Sequence, residues 1–97
     1  QAVSPREGVA TNYEIVGPVC ETGDFLGHDR RLNLQEGDVL AIMSAGAYGM
    51  SMASNYNHMM KPAVIAVANG SARVILRRET EADLLALDVV EAPKPIK

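Results

Sequence analysis

The sequence predicts a mostly β domain, a sandwich or barrel, with one helix at its C-terminal end. Three observations lead there. Short stretches of β-favouring residues recur between turn signals, the pattern of small sandwiches and barrels. Two of these stretches flank Asn69-Gly70, the preferred pair for a two-residue type I′ hairpin turn. A stretch opening at Thr80 carries the capping and charge signals of a helix start.

The elements follow in chain order. Residues 1–10 mix small, charged and proline side chains and read as a connector. Thr11–Val16 (TNYEIV) has strand character, because Tyr13, Ile15 and Val16 favour a pleated surface. Gly17-Pro18 ends or bends that strand. Residues 19–26 (VCETGDFL) follow, and 27–34 (GHDRRLNL) read as an exposed turn and edge. Gln35-Glu36-Gly37-Asp38 is a turn into 39–43 (VLAIM), an apolar run suited to a buried strand. Residues 44–57 (SAGAYGMSMASNYN) combine small residues with Gly46, Gly49, Tyr48 and Tyr56, which suits close packing or a ligand space. A helix over 50–54 is one possibility within that stretch.

The hairpin comes next, Val64–Ala68 (VIAVA) and Ala72–Arg78 (ARVILRR) about the Asn69-Gly70 tip. Thr80 then caps a helix, with Glu81 and Asp83 in its first turn, where the helix dipole favours negative charge. Leu84, Leu85 and Leu87 give it a partly apolar face, and Pro93 and Pro95 prevent continuation. The predicted organisation is a connector at 1–10, a β domain with its terminal helix at 11–92, and a tail at 93–97.

Composition narrows the function. The chain has 97 residues, 47% of them hydrophobic and 4% aromatic, so Val, Leu, Ile, Met and Ala must fill any core. Twelve acidic and nine basic residues give a net charge of −3, the wrong sign for a nucleic-acid binder. One cysteine excludes an internal disulfide framework and a cysteine-rich zinc site. No apolar run approaches the roughly 20 residues that span a bilayer, and the first residues lack a signal-peptide stretch. Gln1 in place of Met points to processing or to a segment taken from a longer chain. The expectation is a soluble, cytoplasmic chain that does not begin at a natural start.

Two segments carry candidate chemistry. The first is 17–24 (GPVCETGD), where Glu21 and Asp24 lie within four residues of Cys20. On a regular strand Cys20 and Glu21 would face opposite ways. The flanking glycines and proline favour a loop, which can aim both at one site. An ordinary cysteine is mostly protonated at neutral pH, which suits a proton donor better than a thiolate nucleophile. The alternative is a buried cysteine serving as a small apolar side chain. The second segment is 44–49 (SAGAYG). Tyr48 between glycines could offer its hydroxyl to a phosphate or carboxylate, or it could be packed in a tight turn. Neither a Walker loop nor a dinucleotide fingerprint is present. His28 and His58 lie far apart, with no ligand spacing around them, so no metal site is expected. Arg30-Arg31 and Arg77-Arg78 read as solvated faces, and Met50, Met52, Met59 and Met60 as packing or interface residues.

Several motifs then occur in one order: GPVCETGDFLG (17–27), EGD (36–38), SAGAYG (44–49), SNYN (54–57) and RRET (77–80). Together they resemble the C-terminal portion of the bacterial diaminopimelate decarboxylases, which are fold-type III pyridoxal-phosphate enzymes. The resemblance covers roughly residues 6–87. It implies a C-terminal β domain that follows a (β/α)₈ barrel, and it makes residues 1–10 the connector from that barrel. It implies a carboxy-lyase that converts meso-diaminopimelate to L-lysine for lysine biosynthesis. It also implies a homodimer whose active sites are completed across the interface.

By the same resemblance Cys20 corresponds to the proton donor and Glu21 to the substrate-binding carboxylate. Tyr48 corresponds to a tyrosine that contacts the cofactor phosphate and the substrate, and Asp24 takes a supporting role. The barrel, with the lysine that anchors pyridoxal 5′-phosphate and most of the phosphate site, is absent, so the chain alone is expected to be inactive. Lys61, Lys94 and Lys97 lie in no motif for that lysine. Residues 57–61 (NHMMK) depart from a family stretch richer in arginine and proline. Ornithine, arginine and carboxynorspermidine decarboxylases are the alternative within the class, although these relatives tend to follow the cysteine with aspartate. A non-catalytic β binding module is the alternative outside it.

Overall fold

The computed structural model describes residues 1–96; Lys97, the last residue of the predicted tail, lies outside them. The regular structure among the described residues is mostly strand, with short helical turns, in agreement with the predicted class. They divide into two compact units, Gln1–Ser51 and the residues from Met52 onward.

In the first unit, β1 (Thr11–Val16) pairs antiparallel with β2 (Phe25–Leu32). Tyr13 and Ile15 alternate as the half-buried positions of β1, as the period of two requires. β2 corrects the turn but not the exposed edge expected over 27–34: GHDRRL is strand, and β2 is an edge of a two-stranded sheet. Its polar side chains do not disfavour pairing, because they stand on exposed positions while Gly27 and Leu32 are half-buried.

The pairing is bulged. Tyr13 opposes Arg30, but Ile15 opposes Gly27 and Val16 opposes Phe25, so β2 carries the extra residues. One bulge falls at Asp29, whose φ is +49°. The Glu14 carboxylate fills it, accepting the Asp29 N–H at 3.0 Å and lying 2.6 Å from His28 Nδ1. These contacts, the Asp29 N–H first and His28 next, hold Glu14 below the usual carboxylate range. The His28 ring also stacks on Phe25, with centroids 4.7 Å apart.

Residues 39–43 form no strand of their own; Leu40 makes a single bridge to Ala2, and Val39 is exposed. The apolar run predicted a buried strand, but its partner is the irregular 1–3 segment and no core covers it. Val3 N–H donates to Val39 O at 2.9 Å, and Ala41 N–H to Gln1 O at 2.7 Å. Arg6 clamps Asp38 with two bonds of 2.8 Å, and Asp38 also accepts the Gln35 N–H at 2.9 Å, closing the predicted turn. Those contacts lower the Asp38 pKa to about 2. The helix possible over 50–54 lies earlier instead, as one turn, α1 (Gly46–Gly49).

The second unit holds the predicted hairpin, β3 (Val64–Ala68) and β4 (Ser71–Leu76), with Ala68 opposite Ser71. Asn69 (φ +52°) and Gly70 (φ +73°) take the two left-handed positions of the turn. Arg77 and Arg78 lie beyond the strand and serve other contacts. α2 (Glu81–Leu84) starts at Thr80 with a complete capping box. Thr80 N–H donates to Asp83 Oδ2 at 2.8 Å, and Arg77 grips the same carboxylate at 2.6 and 2.8 Å.

Among the described residues none is buried, and 8784 Å² is accessible. A folded monomer of 10.4 kDa would expose about 5,400 Å². The hydrophobic residues that composition assigned to a core therefore stand on open faces.

Candidate functional site

The candidate site is the tip of the β1–β2 hairpin. Residues 17–24 leave the sheet at Val16 and re-enter it at Phe25. The loop is tied to itself throughout. Gly17 N–H donates to Asp24 O at 3.0 Å, and Asp24 N–H donates to Glu21 O at 3.1 Å. Glu21 N–H reaches back to Val19 O at 3.0 Å, making a three-residue turn centred on Cys20. The Asp24 carboxylate accepts the Val19 N–H at 3.0 Å.

These bonds decide where each predicted residue stands. Cys20 is exposed at the head of the loop, so it is not the buried apolar cysteine of the alternative reading. Glu21 is exposed beside it, and its Oε2 accepts the Gly23 N–H at 2.6 Å. Its Oε1 is held only by the Thr22 hydroxyl at 3.5 Å, a long contact that leaves that oxygen available. Asp24 is half-buried and points into the loop, where its bonds are structural.

Tyr48 lies on α1, 74% exposed rather than packed in a turn. Ser51 Oγ caps this turn of chain through Tyr48 O and Ala47 O, both at 3.4 Å. A side chain at Gly46 or Gly49 would meet nothing within 4 Å, so close packing does not require either glycine. The structure brings Cys20, Glu21 and Asp24 onto one loop. Among the described residues no hydrogen bond joins that loop to Tyr48. A cavity of about 490 Å³ runs beside β2, lined by Leu26, Arg30, Leu40 and Ile42 among others, and none of the four candidate residues lines it.

Two anchors escaped the sequence reading. Glu79 accepts from Asn55 Nδ2 at 2.6 Å and from Lys61 N–H at 2.9 Å, fastening the SNYN segment to the end of β4. These bonds, Lys61 foremost, lower its pKa. The pairing of Gly17 with Asp24 was the second. A methyl built on Gly17 would overlap both carboxylate oxygens of Asp24. An acidic residue placed to close its own turn is the sequence signal for the second; Glu79, whose partners lie 18 and 24 residues away, gives no local signal.

No group of three metal-ligating side chains occurs among the described residues. The donor set fits the margin of a cofactor site: one exposed phenol and one exposed thiol beside a carboxylate.

A bulged β hairpin thus presents a thiol and a carboxylate at its tip, and a second hairpin and a capped helix follow in the chain. Residues 1–46, just under half of the chain, match the family model described as pyridoxal-dependent decarboxylase, C-terminal sheet domain. The similarity narrows to the diaminopimelate decarboxylases. The chain is 54% identical over 85 residues to that of Pseudomonas fluorescens, covering 88% of this chain and 20% of the relative. It is 46% identical over 85 residues to that of Methanothermobacter thermautotrophicus, covering 87% and 20%. The solved diaminopimelate decarboxylase of Helicobacter pylori, complexed with L-lysine, superposes with a TM-score of 0.81 at 40% identity, covering 91% of this chain and 22% of that one. The chain thus spans about a fifth of the length of the curated relatives it matches.

Proposed function

We propose that this chain acts as the C-terminal part of a diaminopimelate decarboxylase, which removes one carboxyl group of meso-diaminopimelate and leaves L-lysine. The observation that carries the reading is the identity of 54% over 85 residues, which spans the loop that exposes Cys20 beside Glu21. The L-lysine in the solved relative is the product this reaction would leave.

Pyridoxal 5′-phosphate, when bound, supplies the electron sink for breaking the carbon–carbon bond. The residues of this chain do the rest of what is assigned here. Cys20 gives its S–H proton to the carbon that has lost carbon dioxide; the C–H bond forms as S–H breaks, and water restores the thiol. Glu21 accepts the ammonium at the far end of the substrate through its free Oε1. Tyr48 donates its hydroxyl to the cofactor phosphate and borders the substrate. Asp24 supports the loop. None of Lys61, Lys94 and Lys97 lies in a motif for anchoring the cofactor, so that lysine is assigned to the part of the relatives that this chain does not span. A homodimer that completes each site across its interface, working in the cytoplasm, belongs to the same reading. No helix among the described residues is long and apolar enough to cross a membrane.

Turnover of Cys20→Ala in the complete enzyme tests the assignment. Loss of a general acid lowers kcat by roughly 10²–10⁴-fold, with the Michaelis constant little changed. Near-native turnover would remove Cys20 from the reaction.

A further inference from the structure

We propose that Asp24 is the positioning residue for the Cys20 thiol, and that Gly17 is glycine to leave space for the Asp24 carboxylate. The inference rests on Cys20 as proton donor and adds what aims it.

All three polar groups of Asp24 are engaged with peptide groups of the loop, two of them with the residues that bracket Cys20. On one side its carboxylate takes the Val19 N–H at 3.0 Å. On the other its own N–H holds the Glu21 carbonyl at 3.1 Å. Its carbonyl closes the loop base by accepting from Gly17 at 3.0 Å. The Glu21 N–H to Val19 O bond then fixes the turn whose central residue is Cys20. Cys20 has no packing to orient it, being exposed, so its direction follows from the backbone on either side.

Gly17 completes the device. Its missing side chain leaves the volume that both Asp24 oxygens fill. Its φ is not in the left-handed region, so the requirement for glycine is steric and not conformational. Alanine there fits the backbone but evicts the carboxylate. Gly17 and Asp24 therefore form one unit across the loop base, and losing either releases the same turn.

The test uses the complete enzyme with Asp24→Ala, Asp24→Asn, Gly17→Ala, Cys20→Ala, Gly17→Ala/Asp24→Ala and Cys20→Ala/Asp24→Ala. A thiol misplaced by about 1 Å costs up to about 100-fold, so Asp24→Ala should lower kcat roughly 10- to 100-fold with the Michaelis constant nearly unchanged. Asparagine keeps an acceptor for the Val19 N–H, so Asp24→Asn should stay near wild type. Gly17→Ala should match Asp24→Ala, and the Gly17→Ala/Asp24→Ala pair should be no worse than Asp24→Ala alone. Asp24→Ala should cost nothing further once Cys20 is alanine, the non-additivity expected of residues acting through one group. Iodoacetamide labelling of Cys20, read by peptide mass, should change rate in Asp24→Ala and Gly17→Ala but not in Asp24→Asn.

Wild-type kcat and labelling in Asp24→Ala would overturn the proposal. So would an Asp24→Asn variant as damaged as Asp24→Ala, or a full additional loss in the cysteine-free background. A Cys20→Ala enzyme with native turnover would instead refute the proton-donor role, and labelling would still report whether Asp24 aims the thiol.

Discussion

Replacing Glu21 by glutamine separates substrate binding from proton transfer. Two oxygens of Glu21 face different partners in the structure. Oε2 takes the Gly23 N–H at 2.6 Å, a bond a glutamine oxygen can keep. Oε1 has the Thr22 hydroxyl at 3.5 Å and, on the proposed reading, meets the substrate. Glutamine held by Gly23 therefore turns its NH₂ group outward, where a second N–H donor, the substrate ammonium, would arrive. A hydrogen bond to a charged group contributes about 1.5–3 kcal/mol, so its loss corresponds to a rise of about 10- to 150-fold in the Michaelis constant. Because Cys20 sits in its own hydrogen-bonded turn, kcat should change less than about threefold. Steady-state release of carbon dioxide from meso-diaminopimelate by the complete enzyme measures both constants. An unchanged Michaelis constant, or a fall in kcat with binding intact, would refute the placement of Glu21 against the distal ammonium.

Two further outcomes follow from the geometry outside the site. Gly70→Ala introduces a methyl that meets nothing within 4 Å at a φ of +73°, so its whole effect is the left-handed backbone, about 1–2 kcal/mol. Hydrogen exchange of the β3–β4 amides should accelerate while β1–β2 is unaffected; equal protection in both variants would contradict the turn assignment. The Asp38 carboxyl is depressed from 3.8 to about 2 by Arg6 and by the Gln35 N–H. Its contribution is complete above pH 3.8 and disappears as pH falls through about 2. Between those values the denaturation midpoint should fall more steeply in the wild type than in Arg6→Ala, and parallel profiles would show that the clamp has no energetic effect.

Features with a local physical cause were legible in the sequence. Asn69-Gly70 specifies its turn through two left-handed residues, and Thr80 with Asp83 specifies a helix start through reciprocal bonds; both appear as expected. Features set by distant partners were not. GHDRRLNL looked like an exposed turn and edge; it is edge but its first six residues are strand, because their partner is β1 and the bulge at Asp29 is filled by Glu14, fourteen and fifteen residues away. VLAIM looked like a buried strand because apolarity was taken for burial, and nothing covers it. For the candidate site, Cys20, Glu21 and Asp24 were found as neighbours along the chain, and the loop keeps them together. What the sequence could not display was direction: Asp24 turns inward and Gly17 yields room only once the loop has closed.

The β3–β4 ribbon carries one more implication. Each of its strands has one unpaired edge among the described residues, and one face is apolar, with Val67 74% and Val74 62% exposed. Open edges on apolar strands are templates for pairing with further copies. Released from whatever covers it, this stretch would be limited in solution by concentration before temperature. It would precipitate or be captured by chaperones and proteases. Its quality control is thus built into the same strands that give it shape.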